Sequence, residues 1–170
     1  MSKIIVKDKE ITITGFENDD YVSLTDIAKF LNNDDPRYPI QNWMRLKDTI
    51  DYIGLWETLN NPNFNRIEFD TFKKEYGRNS FVMTPSKWIK STNAIGIKSK
   101  AGKYGGGTYA HRDIALEFAI LSNLEFYNSK LIEENIPQQT RLILLNNEAN
   151  KEKELFNKNN EKVLKITNNE

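Results

Sequence analysis

Cysteine is absent from the chain of 170 residues, and histidine occurs once, at position 111. Without cysteine there are no disulfides and no thiol chemistry, and a zinc site, which usually takes Cys and His ligands, is disfavoured. The chain also lacks a hydrophobic run long enough to cross a membrane, and its first residues lack the apolar segment of a signal peptide. We therefore expect a cytoplasmic protein with no membrane contact, no metal and no cofactor.

Acidic residues are missing from two segments, although the net charge of the whole chain is zero. Tyr76 to Arg112 contains seven Lys and Arg residues and no Asp or Glu, and Pro36 to Lys47 contains three cations and no acid. The segments around them are acidic. Segregation of this kind is typical of a protein that presents one face to a polyanion such as DNA. A loop with solvated lysines is the alternative interpretation of the longer segment.

Sequence motifs of catalysis are incomplete. The segment from Gly102 to Gly105 differs from a nucleotide-binding phosphate loop, because its lysine precedes the glycines instead of following them. His111-Arg112-Asp113 resembles the catalytic triplet of kinases, but the Asp-Phe-Gly motif and the lysine strand of kinases are missing. We expect no enzymatic activity.

A glycine-rich stretch, Ala94 to Ala119, organises the rest of the sequence. Four of the eight glycines lie between Gly102 and Gly107, and a cluster of this kind marks a tight tip or a close backbone approach. The apolar runs before and after the glycines predict two strands, followed by a helix from Arg112. The resulting hairpin resembles the wing of a DNA-binding domain. Its candidate phosphate contacts are Lys98, Lys100, Lys103 and the backbone of Gly105, Gly106 and Gly107.

Two helices are predicted in the first third of the chain. Ser23 starts a helix with a buried face at Leu24, Ile27, Ala28 and Leu31, and a second helix runs from Pro39 past Ile50. A short helix followed by one with exposed polar residues is typical of a helix-turn-helix, although an ordinary αα-hairpin gives the same pattern. The candidate DNA-binding residues here are Arg37, Gln41, Asn42, Arg45 and Lys47.

Several shorter patterns complete the prediction of an α+β fold. Asn65 and Thr84 are expected to cap two further helices, Phe81 to Met83 to form a short strand, and Trp88 to lie in the core. Arg141 to Phe156 predicts a charged helix, which is the candidate dimer contact. We expect a DNA-binding domain over residues 1–126 and a divergent, mostly helical or disordered tail over residues 127–170.

Three separated motifs resemble the KilA-N domain of phage and large-DNA-virus proteins. They are YVSLTDIAKFL (Tyr21 to Leu31), IQNWMRLKDTIDYI (Ile40 to Ile53) and GGGTYAHRDIALEFA (Gly105 to Ala119). The resemblance spans roughly residues 3–126. It implies an α+β fold related to the APSES domain, with a small β-sheet, a helix-turn-helix and a β wing. It also implies binding of double-stranded DNA in phage or prophage gene control, as an antirepressor-like regulator.

The resemblance also bears on His111, Arg112 and the tail. The family position of His111 implies a structural or phosphate-facing residue, and Arg112 follows it among the candidate DNA contacts. After Ala119 the family usually continues with Trp-Leu-Ser-Pro-Glu-Phe, whereas this chain reads Ile120 to Phe126 without the tryptophan and the proline. A frameshift and a functional replacement both stay open as explanations. With the zero net charge and the abundant asparagine, the tail also leaves open a protein-interaction module that binds a repressor.

Overall fold

The computed structural model describes residues 2–6, 9–16, 19–76, 81–102 and 106–167. This part of the chain contains five strands and seven helices. The strands are β1 (Ser2–Val6), β2 (Lys9–Phe16), β3 (Asp19–Ser23), β4 (Ile97–Lys100) and β5 (Gly107–His111). The helices are α1 (Leu24–Ala28), α2 (Arg37–Trp43), α3 (Lys47–Asn60), α4 (Arg66–Glu75), α5 (Pro85–Thr92), α6 (Arg112–Glu133) and α7 (Gln138–Thr167). The α+β class predicted from the sequence is confirmed.

The strands form one antiparallel sheet in the order β1-β2-β3-β5-β4. β5 lies inside the sheet, because it pairs with β3 on one side and with β4 on the other. Tyr21 of β3 stands opposite His111 of β5, and Lys100 of β4 stands opposite Gly107. The glycine-rich hairpin therefore extends the sheet that begins at the start of the chain, and β4 is its outer strand.

Local capping signals in the sequence are confirmed. The side chain of Ser23 accepts a hydrogen bond from the Asp26 N–H at 3.1 Å, and Asn65 caps α4 in the same way. Thr84 caps α5, which has Pro85 in its first turn. The strand predicted at residues 81–83 is wrong, because these residues belong to no strand of the described chain. Their alternating pattern reflects the burial of Phe81 and Met83 in the core, at 5% and 0% exposure.

The single helix predicted from Pro39 past Ile50 is two helices in the structure. α2 ends at Trp43, and Leu46 has an extended backbone (φ −71°, ψ 137°) before α3 begins at Lys47. In an uninterrupted helix, Thr49 would lie about 180° around the axis from Ile40, because each residue turns the chain by about 100°. Both residues are buried, so the break lets each helix turn its own apolar face to the core.

Aromatic rings fill the core, and the predicted position of Trp88 in it is confirmed. Trp88 is fully buried, with ring centroids of Phe64, Phe69 and Phe72 at 5.9 to 6.2 Å. Trp43 packs edge-on against Phe118 at the start of α6. The Trp43 indole Nε1–H donates a hydrogen bond of 2.6 Å to the Glu117 carboxylate, which ties α2 to α6.

The carboxylate of Glu57 is buried where α3 meets the chain that leads into β4. Its oxygens accept hydrogen bonds from the Gly96 N–H at 2.7 Å, the Ile95 N–H at 3.1 Å and the Asn61 side-chain amide at 2.9 Å. Burial raises the pKa of Glu57, and the three N–H donors oppose that rise. The same Asn61 amide also donates to the Asn93 carbonyl, so this network attaches the start of the hairpin to α3.

Contacts divide the chain into two compact units, Met1–Ala119 and Ile120–Glu170. In the second unit, Asn135 adopts a left-handed backbone after α6, and the Arg141 side chain donates to the Ile136 carbonyl. The predicted helix at Arg141 to Phe156 lies inside α7, which confirms it. All the strands and the candidate DNA-binding residues belong to the first unit.

We predict that Glu57→Ala lowers the free energy of unfolding by about 3 kcal/mol or more, because two buried N–H donors and one partly buried N–H donor would lose their acceptor. Leu59→Ala on the same helix is the control, since Leu59 is 74% exposed and should change stability by no more than about 0.5 kcal/mol. Urea unfolding followed by tryptophan fluorescence measures both. Equal losses in the two variants would contradict a central role of Glu57.

We also predict a titration at the contact between Trp43 and Glu117. Burial raises the pKa of Glu117 above 4.5, and nearby Asp48 adds to the rise. Because the pKa of Glu117 is higher in the folded state than in the unfolded state, protonation of Glu117 stabilises the fold. This contribution is fully present below pH 4.5 and is lost as the pH rises through the folded-state pKa. The Trp43 indole N–H resonance in NMR should therefore shift with a midpoint above 4.5. The shift should vanish in Glu117→Gln, and a midpoint below 4.5 would refute the assignment.

Candidate nucleic-acid interface

The hairpin of β4 and β5 presents lysines on one of its faces. Lys98 and Lys100 are two residues apart on β4 and therefore lie on the same face of the strand. Ile97 lies on the opposite face, which packs against the core, and it is fully buried. Lys100 is exposed and Lys98 is half-buried. Of the other candidates at the tip, Lys103 and Gly105 lie outside the described residues.

Glycine is required at the hairpin tip by a close approach of the backbone. Gly102 has a φ of 143°, which other residues rarely adopt, and a Cβ on Gly106 would lie 2.2 Å from the Gly102 carbonyl oxygen. At the base, a Cβ on Gly107 would lie 3.0 Å from the Thr25 hydroxyl. That hydroxyl accepts a hydrogen bond of 2.9 Å from the Thr108 N–H. The glycines thus let α1 sit directly against the base of the hairpin.

α2 carries three of the candidate residues. Arg37 is at its first position and Gln41 is one turn later, so the two lie on one stripe of the helix, while Ile40 and Trp43 are buried. Gln41 and Asn42 are half-buried. α2 packs against α1, which also contacts β5. α1 therefore contacts both α2 and the second strand of the hairpin.

The guanidinium of Arg37 is paired with the carboxylate of Asp35. Nε donates to Oδ1 at 2.9 Å and Nη2 donates to Oδ2 at 3.2 Å. The hydrogen bonds from Arg37 hold the pKa of Asp35 below its usual value, and Asp35 raises the pKa of Arg37 in turn. Both groups are charged at neutral pH.

The break after α2 displaces two candidates from the helix on which the sequence analysis placed them. Arg45 lies in the turn between α2 and α3, and Lys47 is the first residue of α3. Both are exposed, and the Lys47 ammonium lies 5.9 Å from the centre of the Tyr76 ring. Gln41 and Arg45, which an uninterrupted helix would place one turn apart on the same stripe, are consequently separated by the end of α2.

His111 and Arg112 differ in accessibility. The His111 ring is 9% exposed and lies 4.8 Å from the Trp56 ring and 6.0 Å from the Tyr21 ring, centre to centre. This environment favours the structural alternative for His111. Arg112 is exposed at the start of α6, with its Nε 3.6 Å from the carboxylate of Asp113.

Two further cations lie on the helix next to β4 and were not among the sequence candidates. Lys87 and Lys90 are exposed on α5, and α5 packs against β4. The Lys87 ammonium lies 5.2 Å from the centre of the Phe72 ring. Their position in the segment without acids was the signal that could have identified them. In the described part of the chain, Lys87, Lys90, Lys98 and Lys100 make no ion pair within 4.0 Å.

Metal-binding groups and membrane-spanning helices are both absent from the part of the chain that the structure describes. Across the described ranges, no group of three or more His, Asp or Glu side chains is placed to hold a metal ion. None of the described helices is both long and apolar enough to span a membrane.

A comparison with protein families identifies the domain. A model of the KilA-N domain matches residues 4–138, which is most of the chain and runs beyond the point at which the sequence departs from the usual motif. No curated protein and no solved structure gave a match. KilA-N domains are in general DNA-binding domains. With its antiparallel sheet, its glycine-rich hairpin and the matched motifs, the chain belongs to the KilA-N domain family.

Proposed function

We propose that this KilA-N domain binds duplex DNA through two groups of residues, with the lysine-bearing hairpin on phosphates and α2 at the base edges. We further propose that it acts in phage or prophage gene control, as an antirepressor-like regulator. The observation that carries the proposal is the lysine-bearing face of β4 beside a glycine tip whose backbone atoms approach closely. Cations and backbone amides are the groups that bind phosphate without reading sequence.

The hairpin is a wing in this proposal. Lys98 and Lys100 share one face of β4, and α5 places Lys87 and Lys90 on the neighbouring helix. These lysines form no ion pair with a carboxylate within 4.0 Å in the described part of the chain, and Lys90 and Lys100 are exposed. The Lys87 ammonium donates to the Val82 carbonyl at 3.4 Å, and the charge of Lys98 acts on the buried Glu57 carboxylate. Cations without an ion pair can replace counterions on DNA. Release of counterions gives affinity that falls steeply with salt.

α1 and α2 form the helix-turn-helix in this proposal, and α2 is the recognition helix. The N-terminal residues of a recognition helix usually contact bases, which is the position of Arg37. Gln41 and Asn42 follow on the same short helix, and Arg45 adjoins it in the turn. The connection from residue 29 to residue 36 is longer than the usual turn of about 3–4 residues, so the unit is an extended version of the motif.

The proposal includes no enzymatic activity and no cofactor, and it locates the protein in the cytoplasm. Dimer contacts are proposed for the segment from Arg141 to Phe156 within α7. A dimer would place two recognition helices on two half-sites of DNA.

A protein-interaction module is the second candidate, and one observation favours it. Leu55 and Leu59 on α3 are 58% and 74% exposed, and Ile67 on α4 is 80% exposed. Leu55 and Leu59 are one turn apart on α3 and therefore lie side by side, and contiguous exposed apolar side chains are typical of surfaces that contact another protein. A repressor is the partner proposed in this case, and its complex would depend little on salt.

We predict that the purified chain binds random duplex DNA with an affinity that falls steeply with salt. The logarithm of the affinity plotted against the logarithm of the salt concentration should have a slope of several units. Lys100→Gln should reduce the magnitude of that slope by about one, because one phosphate contact is lost. A titration of labelled DNA by fluorescence anisotropy at several salt concentrations measures both.

Lys3→Gln is the matched control. Lys3 is exposed on β1, which is four strand spacings, or about 19 Å, from β4 across the sheet. Lys3→Gln removes the same charge as Lys100→Gln and should leave the slope of affinity against salt concentration unchanged. Equal changes in the two variants would refute a specific role of the hairpin. Absence of DNA binding at low salt would refute the proposal and favour the protein-interaction module.

A further inference from the structure

Arg37 is held in one orientation by a carboxylate two residues before it. Asp35 accepts from Nε and Nη2 of the guanidinium and also from the Arg37 backbone N–H at 3.1 Å. The Arg37 side chain nevertheless remains 82% exposed. The pair is formed by two surface groups, and such pairs add little to folding stability. Its main consequence is therefore the direction in which the guanidinium points.

Asp35 is itself fixed by local hydrogen bonds. The side-chain oxygen of Asn32 accepts from the backbone N–H groups of Asp34 and Asp35, at 3.2 and 2.9 Å. The Asp35 carbonyl accepts from the Tyr38 N–H in the first turn of α2. The backbone of Asp35 is thus fixed on both sides at the start of α2.

The pairing leaves half of the guanidinium available. A guanidinium has five N–H groups, and Asp35 engages the side edge formed by Nε and Nη2. The end edge consists of Nη1 and the second N–H of Nη2. Because the side chain is largely exposed, that edge is accessible to a ligand with two adjacent acceptors.

We infer that Asp35 is a positioning residue that orients the end edge of Arg37 toward a guanine in the DNA site. In the major groove, guanine presents two adjacent acceptors, O6 and N7, which match two parallel N–H donors. The inference rests on the proposed DNA-binding function and adds a base preference to it.

The charge of Asp35 supports guanine over phosphate as the partner. A phosphate bound at the end edge of Arg37 would lie close to the Asp35 carboxylate, and two anions repel each other. Guanine is neutral, so it can use the same edge without that repulsion. Asp35 thus disfavours contacts of Arg37 with phosphate, which carry no sequence information, and it also holds the arginine in place. Specific recognition requires both effects.

The experiment is a selection of bound duplexes from a random library, made with the full wild-type chain and with variants. The wild type should enrich sites with at least one invariant guanine. Replacing that guanine should weaken binding of the wild type about 5- to 150-fold, the range for a bidentate base contact. Arg37→Ala should bind the original and the replaced site equally well. Arg37→Lys should keep the salt slope and only part of the guanine preference, because lysine can also donate to guanine but lacks the planar fork that Asp35 orients.

Asp35→Asn and Asp34→Asn form a matched pair that separates positioning from charge. Each removes one negative charge from the same loop, but only Asp35 contacts Arg37 among the contacts of the described residues. Both should raise the affinity for random DNA. Only Asp35→Asn should reduce the preference for guanine, by several-fold. Circular dichroism verifies that the variants fold.

The remaining outcomes distinguish failure of the inference about Asp35 and Arg37 from failure of the proposed DNA-binding function. If the wild type binds DNA but Arg37→Ala keeps every base preference, the inference is overturned and the proposed function stands. The same holds if Asp35→Asn and Asp34→Asn have equal preferences, or if the wild type selects no guanine. If the wild type binds no DNA, the proposed function and the inference both fall.

Discussion

The buried carboxylate of Glu57 determines where the hairpin stands. Three N–H groups converge on it from α3 and from the chain entering β4, and the Asn61 amide continues the contact to the Asn93 carbonyl. A carboxylate without those donors would be unstable in the core, and the donors without the carboxylate would be unsatisfied. The position of Gly96 also fixes the end of β5, because the Gly96 carbonyl accepts a hydrogen bond from the His111 N–H at the other end of the hairpin.

The two candidate DNA contacts differ in their electrostatic surroundings, which suggests a division of roles. Lys98 and Lys100 come from a segment without acids and form no ion pair within 4.0 Å among the described residues, although the charge of Lys98 also acts on the buried Glu57 carboxylate. Arg37, by contrast, has a carboxylate on its guanidinium. Free cations contribute affinity that depends on salt, whereas an oriented arginine contributes discrimination between bases. In our proposal the hairpin therefore provides most of the affinity, and α2 provides the specificity.

Helix caps encoded over a few residues could be predicted, whereas a helix break and an irregular segment that depend on packing against distant parts of the chain could not. The caps at Ser23 and Thr84 are hydrogen bonds to an N–H three residues later, so the neighbouring sequence is sufficient to identify them. The break between α2 and α3 depends on which faces the distant core accepts, and the sequence analysis therefore missed it. The same reason explains the strand wrongly predicted at residues 81–83, where two side chains enter the core from an irregular segment.

The sequence by itself determined the hairpin and the charge segregation, because each depends on composition or on short-range periodicity. Its three motifs determined the family resemblance, which implied the α+β class. Only the tertiary structure decided which candidates are accessible. His111 and Arg112 are adjacent in sequence, yet the ring of His111 is buried beside Trp56 while Arg112 remains exposed. Lys87 and Lys90 lie on α5, which packs on β4. Burial and proximity of this kind arise from contacts between distant segments, which no local pattern contains.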